Sequence, residues 1–430
     1  GLNIRIRGTA TLNARNDPLI VINGIPYNTN IDDDFDFASA DIEQFGSLID
    51  VAPEDIESIE VLKDAASTAI WGSRAANGVL MIKTKRGIKS PPVFEYTYKF
   101  SRSKEPESVP MLNGVDYTRL IKQSLFNVDA EDEYDDALNF DPEYIDYHNY
   151  NQNTDWVSLI TQIAYSHQHN FSVTGGGDKS RYNIALGYQN ENGTTIGTGL
   201  KKINLRTSID YDLSRKLRFR SDIFFTGYDR DASYELNKKK IRSIAYRKMP
   251  NMSVYERDTA GNALDDYFIP SSTVQGSADD IYNPVAFGEY SKRKEYKYNY
   301  RALFGLNWRI IDNLVYDGTV SLDIFNEKVN KFLPFEAVGY DYTDDITNSA
   351  SKDYSNKSAI YTQQRLVYKP DLGLSHQLTI HGQIDIEQNI TKSYTVETSK
   401  SPSSLLQDVT GDLNINKIGS GISEFRSAGA

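Results

Sequence analysis

From residue 93 onward, apolar and polar positions alternate one for one. In 93–100, VFEYTYKF, Phe94, Tyr96, Tyr98 and Phe100 share one face, and Glu95, Thr97 and Lys99 share the other. A period of two marks a β-strand, because successive side chains leave opposite sides of the pleat. The alternation returns at 181–189, where Tyr182, Ile184, Leu186 and Tyr188 oppose Asn183, Ala185, Gly187 and Gln189. It returns at 203–211, with Ile203, Leu205, Ile209 and Tyr211 against Asn204, Arg206, Ser208 and Asp210. The longest run is 296–310. Tyr296, Tyr298, Tyr300, Phe304, Leu306, Trp308 and Ile310 lie on one face there, and Lys297, Asn299, Arg301, Asn307 and Arg309 on the other. Two more runs follow at 314–324 and 378–387.

Strands of a soluble sandwich are usually about five or six residues. These runs reach the roughly 9–11 residues a tilted strand needs to cross a bilayer, with Tyr or Trp near their ends. The pattern supports about nine or ten such strands. Their connections alternate too. Short turns stand at 175–180, 214–216, 311–313 and 371–375, and long polar, tyrosine-rich segments at 104–165, 230–295, 328–356 and 391–421, with 191–199 the one short link on the long side. Tight turns at one end and long loops at the other are the asymmetry of an outer-membrane barrel.

Residues 1–90 follow another pattern, that of a small α/β unit. Ile4–Arg7, Leu19–Ile22 and Ile59–Leu62 are predicted strands, and 23–26 a turn. Pro53 suits the first position of a helix, with Glu54 and Asp55 favourable at its positive end. Ala65, Ala66 and Ala69 predict a helical turn of small residues, stopped by Gly72. Val79, Leu80, Met81 and Ile82 form a strand apolar on both faces, hence buried, and Lys83, Lys85 and Arg86 are expected to end it in water. Residues 28–50 are an acidic loop with some helical potential.

Composition narrows the function. The 430 residues include no Cys, which excludes disulfides, thiolate metal sites and a cysteine nucleophile. A net charge of −12 argues against a broad nucleic-acid surface. Tyr and Phe are abundant, at 29 and 18, as befits strands and membrane interfaces. Mean hydropathy is −0.52, and no run of 18 apolar residues exists, so transmembrane helices are excluded while transmembrane strands are not. The chain opens within strand-like GLNIRIRG and stops at SEFRSAGA without a cap or turn, as expected of an internal piece of a longer protein.

The candidate ligand-binding residues are Asp32, Asp33, Asp34 and Asp36, with Tyr134 and Tyr144 of the acidic, tyrosine-containing run 129–147. Carboxylates at alternate positions suit Ca²⁺ or polar cargo, and tyrosine faces suit sugar rings. A solvated acidic loop accounts for the same residues. His167 and His169 share a strand face but lack a third zinc ligand. GGGDKS at 175–180 precedes a strand and reads as a hairpin turn rather than a phosphate loop. Trp156 reads as a loop anchor. No catalytic constellation is evident.

PLIVINGIPY (18–27) and VAPEDIESIEVLKDAASTAIWGSRAANGVLMIKTKRG (51–87) resemble the plug domain of TonB-dependent outer-membrane transporters, in particular the SusC/RagA type of the Bacteroidota. TDW (154–156), 169–193, 199–213 and YNPVAF (282–287) resemble the first barrel strands of that family. The resemblance implies a mostly β fold, a transmembrane antiparallel β-barrel of about 22 strands in the whole protein, with an α/β plug inside. Residues 1–90 would be the C-terminal part of the plug, and 91–430 the N-terminal half of the barrel. It implies active import without bond cleavage, energy from TonB of the inner-membrane complex, and a SusD-like surface lipoprotein as lid. The cargo implied is an oligosaccharide, with a peptide, siderophore or cobalamin as alternatives. No cofactor is implied beyond the weak Ca²⁺ reading. The rival class is a secreted β-rich glycan hydrolase or binding protein, which would have to cover the apolar strand faces. Two catalytic carboxylates could be drawn from the 59 acidic residues.

Overall fold

The structure, a computed structural model, describes residues 18–27, 53–64, 71, 75, 77–130, 138, 141–269, 282–340, 343–372, 376–409 and 414–429. The N-terminal unit is a four-stranded sheet in the order β2-β1-β4-β3. Strand β1 (Leu19–Ile22) turns back on β2 (Ile25–Tyr27), and β3 (Ile56–Leu62) lies antiparallel to β4 (Val79–Thr84). Asn23 and Gly24 take φ of 51° and 89°, the left-handed pair a two-residue hairpin demands. The turn is therefore tighter than 23–26: Ile25 and Pro26 already pair with Ile22 and Val21. β4 runs parallel to β1 and sits between it and β3, which is why both its faces are apolar; Val79, Leu80 and Ile82 are buried. Pro53–Asp55 form a single 3-10 turn rather than opening an α-helix, because the chain enters β3 directly at Ile56. Ile4–Arg7, the 28–50 loop, Ala65, Ala66, Ala69 and Gly72 lie outside the described residues.

The second sheet has ten strands. They are β5 (Ser90–Ser103), β6 (Ala164–Gly176), β7 (Ser180–Asn192), β8 (Gly199–Ser214) and β9 (Leu217–Asp231), then β14 (Lys292–Ile311), β15 (Leu314–Leu333), β16 (Ser349–Tyr368), β17 (Ile380–Ser399) and β18 (Asn414–Gly429). Two small hairpins lie between β9 and β14: β10 (Glu235–Leu236) with β11 (Lys239–Lys240), and β12 (Tyr255–Arg257) with β13 (Ala263–Tyr267). Each of the ten pairs antiparallel with the next along the chain, so the sheet is a meander with β5 and β18 at its edges. Its alternation is the one legible in the sequence. Ile184, Leu186, Ile203, Leu205, Tyr300 and Ile324 are exposed on the outer face. Asn183, Arg206, Ser208, Asp222 and Ser321 are buried on the inner face, toward the four-stranded sheet.

β14 to β17 each run 20 residues, further than the loop bounds 328–356 and 391–421 allow. Past Tyr296, Lys328 and Tyr394 the hydrogen-bonded ladder continues through residues that no longer alternate: 292–295 are all charged, 395–399 are polar but for Val396, and Phe332 and Leu333 are buried side by side at the end of β15. The hydrophobic period fades there while the backbone pairing does not.

The long connections fold into a layer of their own at one end of the sheet. It contains α1 (Gly114–Phe126), α2 (Tyr147–Tyr150), α3 (Trp156–Leu159), α4 (Ile241–Arg247), α5 (Pro284–Tyr290) and α6 (Phe335–Val338). Trp156, Ile160, Ile244, Met252, Phe287 and Leu333 belong to one apolar cluster drawn from separate loops. The Trp156 indole N–H donates to the Met249 carbonyl at 2.9 Å, so this residue anchors the layer. Asn283 caps α5 by accepting from the backbone N–H of Val285 and Ala286, and its amide donates to the carbonyls of Val254 and Phe268 at 2.8 and 3.0 Å. One wholly buried side chain thus closes a helix end and two loop strands. Asn283→Ala would leave those groups unpaired in the core and is expected to cost about 2–4 kcal/mol. Amide hydrogen exchange should accelerate across 249–269 and 282–290, while β6 to β9 keep their protection.

Candidate functional site

The four-stranded sheet meets the ten-stranded wall through two guanidinium groups aimed in opposite directions. After β4 the chain passes along 85–88 to reach β5. A Cβ on Gly87 would lie 2.2 Å from the Tyr182 backbone nitrogen of β7, so only glycine lets this segment lie against the wall. Arg86 is carried inward with it. Its Nε and Nη2 donate to the two oxygens of Asp210, each at 3.1 Å, and Nη1 donates to Asp222 at 3.1 Å. Arg86 therefore does not end β4 in water; the segment runs inside the wall, where two carboxylates await it. Arg206 of β8 reaches the other way. Nη2 donates to Thr84 Oγ1 at 2.6 Å and to the Lys85 carbonyl, and Nη1 lies 3.7 Å from Asp55. Asn23, in the β1–β2 turn, joins the same network through Thr84 and Asp222.

These charges are deeply placed. Arg206 is 2% exposed and Asp222 0%. Burial pushes the Asp55 carboxyl above its usual range, with the Arg206 guanidinium opposing the shift. Burial alone would lower Arg86, but Asp222 and Asp210 outweigh it and hold the guanidinium above its ordinary value. Arg206 Nε, Ser208 Oγ and Asp222 Oδ1 are buried without a hydrogen bond to any described residue.

Further along the wall the contact becomes mixed. Phe224 packs beside Ile20, Ile22 and Leu80, and Ile25 packs with Leu303 and Tyr361. The Arg301 guanidinium sits 4.0 Å from the centre of the Tyr27 ring, and Asn299 donates to the Tyr27 hydroxyl at 3.2 Å. Gln168 of β6 donates to Glu54 at 3.3 Å. This is a stopper gripped by ions and small apolar patches. Among the described residues it pairs no nucleophile with a base, and its chemistry is that of ion pairs and hydrogen bonds between two sheets.

Asp32, Asp33, Asp34, Asp36 and Tyr134 lie outside the described residues. Tyr144 is exposed in a turn, its backbone N–H bonded to the Asp141 carbonyl. His167 and His169 point outward, each with Nδ1 against a tyrosine hydroxyl, of Tyr98 and Tyr96. No group of three or more His, Asp or Glu side chains able to hold a metal occurs among the described residues. Arg86, Asp210, Arg206 and Asp222 escaped sequence reasoning as a site. The available signal was the charge crowded on the polar face of 203–211.

In the loop layer, Arg242 of α4 grips Glu105 with both terminal nitrogens, and Thr194 donates to the same carboxylate. Three connections are tied at one point. The Arg242 and Thr194 hydrogen bonds hold Glu105 well below the ordinary 4.5, at about 2.

Residues 1–79 match the family described as TonB-dependent Receptor Plug Domain. The chain is 26% identical over 390 residues to TonB-dependent receptor P3 of Formosa agariphila, covering 89% of this chain and 33% of that protein. It is 38% identical over 210 residues to TonB-dependent receptor SusC of Bacteroides thetaiotaomicron, covering 49% of this chain and 18% of that protein. The fold matches the structure of the RagAB peptide transporter with a TM-score of 0.72 and 19% identity, over 99% of this chain and 47% of that one. The chain spans about a third of the length of P3.

Two expectations follow from the geometry. Arg86→Gln strands Asp222 and Asp210 beside the inner sheet and should weaken its hold by about 3–5 kcal/mol, and adding Asp222→Asn should recover part of that loss. With no native Cys in this chain, a thiol introduced at Ile25, buried against Leu303 and Tyr361, reports the loosening as faster labelling. The second concerns pH. A depressed carboxylate stabilises the fold fully above its unfolded value, and that contribution is lost as pH falls toward the folded one. The Glu105 tie should therefore be intact above pH 4.5 and loosen as pH falls toward about 2. Hydrogen exchange at 104–113 and 193–198 should rise in that window, and Glu105→Gln should remove the dependence.

Proposed function

This chain belongs with the TonB-dependent outer-membrane receptors of the SusC type, and from that premise we propose that the whole protein imports a nutrient across the outer membrane. The observation that carries the reading is the stopper itself, an inner sheet seated in a membrane-type wall by two arginines and a few small apolar contacts. Such a seat is firm at rest and yields to a pull. Breaking a handful of ion pairs toward the short-turn end, where Arg86 lies, frees β4 from β8 and β9. Energy would reach the sheet through TonB, by resemblance to the family.

The loops are the capture surface in this reading. Their shared core gives a rigid platform on which a SusD-like lipoprotein would close. Cargo reaches the acidic 28–50 segment and Tyr134 or Tyr144 on its way to the stopper, and Ca²⁺ at Asp32–Asp36 belongs to the same proposal. An oligosaccharide is the leading cargo, on the resemblance to the SusC type. A peptide is the second reading, because the RagAB structure described as a peptide transporter shares the fold. A secreted hydrolase is set aside: the relatives are receptors, and the apolar strand faces are turned outward.

The full-length protein, purified from native membranes with its lipoprotein, should bind a panel of defined oligosaccharides measured by calorimetry, and Arg86→Gln should leave that binding unchanged. In the Arg86→Gln variant the loosened seat should also make the outer membrane leakier to small antibiotics. Binding of peptides alone would replace the cargo assignment. Absence of a stoichiometric lipoprotein would overturn the lidded arrangement.

A further inference from the structure

On the outer face of β15, β16 and β17, register places two rows of polar side chains immediately above the apolar band. One row is Lys328, Tyr354 and Tyr394, and the next toward the short-turn end is Asn326, Asn356 and Lys392. Below them the same face carries Ile324, Ile360 and Ile386, all exposed. The six side chains form a compact group. Tyr354 donates from its hydroxyl to Asn326 Oδ1 at 3.1 Å, and Asn356 donates to that same oxygen. The Tyr354 and Tyr394 rings lie 6.2 Å apart.

The chemistry of this group is one-sided. The Asn326 acceptor is consumed internally, so its amide presents N–H donors outward. Lys328 and Lys392 are exposed and enter none of the described salt bridges. One carboxylate, Asp229, stands across Tyr296 in the Lys328 row, and the others nearby are engaged. Asp408 is paired with Lys352, although its field also reaches Lys328. Glu424 is held by Gln388 and Arg426, and Asp231 by Lys294. A chain of net charge −12 thus offers a donor-rich cationic patch on the face it turns to lipid.

We propose that this patch binds the phosphorylated headgroup of an anionic glycolipid in the outer leaflet. The two lysines and the Asn326 amide meet the phosphate. The tyrosines lie at headgroup depth, where rings with one wet end belong. The isoleucines below take the acyl chains. A phosphate free in solution would satisfy the lysines but leave those isoleucines without a partner, and a lipid satisfies both. Lysine near a charged membrane surface contributes enough that two together decide retention.

The test uses the full-length protein extracted in a nonionic detergent, with phosphorylated glycolipid quantified per mole of protein by mass spectrometry. Lys328→Gln/Lys392→Gln is expected to lower retained glycolipid about tenfold or more. Lys179→Gln/Lys216→Gln, at the short-turn end, should leave it unchanged. Lys328→Arg/Lys392→Arg should keep the lipid, which separates lost charge from a misfolded barrel; heat-modifiable electrophoretic mobility checks the fold of each variant. Equal retention by the Gln pair overturns the proposal. So does displacement of the lipid by excess inorganic phosphate, which would make this a free-anion site, or equal retention of a dephosphorylated glycolipid.

Discussion

A β-strand cannot show the same chemistry on both sides when its residues alternate, and this constraint governs the molecule. A wall that offers Ile, Leu and Tyr to lipid must offer Asn, Arg, Ser and Asp to its interior. Anything seated inside therefore meets a polar surface. The four-stranded sheet keeps its own apolar core, with Val79, Leu80 and Ile82 buried in the central strand. It touches the wall through charge at Arg86 and Arg206 and through small apolar patches at Phe224, Leu303 and Tyr361.

That explains the form of the seat. Arg86 and Arg206 cross the interface in opposite senses, each hydrogen-bonded to groups on the far side. Taking such ions out of water costs several kcal/mol apiece, and their pairing largely repays that cost without exceeding it by much. The result specifies one position more than it adds stability. A hydrophobic interface of the same extent would hold the sheet through a smooth, non-directional force. Ion pairs lose their grip once moved a short distance and regain it only in register.

The loop layer obeys a different rule. Its segments leave the wall where lipid no longer dictates their pattern, so they are free to build a conventional core. Trp156, Phe287 and Met252 supply it, Asn283 closes its polar ends, and Glu105 with Arg242 and Thr194 fastens three connections. A platform fixed in this way can present side chains from distant parts of the chain at one surface.

The sequence by itself determined the wall. Period-two runs at 93–100, 203–211 and 296–310 assign strands and faces, because the alternation is a local property of each strand and lipid enforces it. The asymmetry of turns and loops is legible for the same reason, and the burial of Val79, Leu80 and Ile82 follows from two apolar faces. The tertiary structure alone decided what the polar faces do. Arg86 read as a solvated strand end, and nothing near it in the chain predicts Asp210 and Asp222, more than a hundred residues away. The extent of β14 to β17 was also hidden, since strands beyond the bilayer keep their hydrogen bonds without a hydrophobic signal. Local pattern reports which side of a strand meets lipid. A contact between two charged side chains far apart in sequence leaves no periodicity, and only the closing of one sheet around another brings it into being.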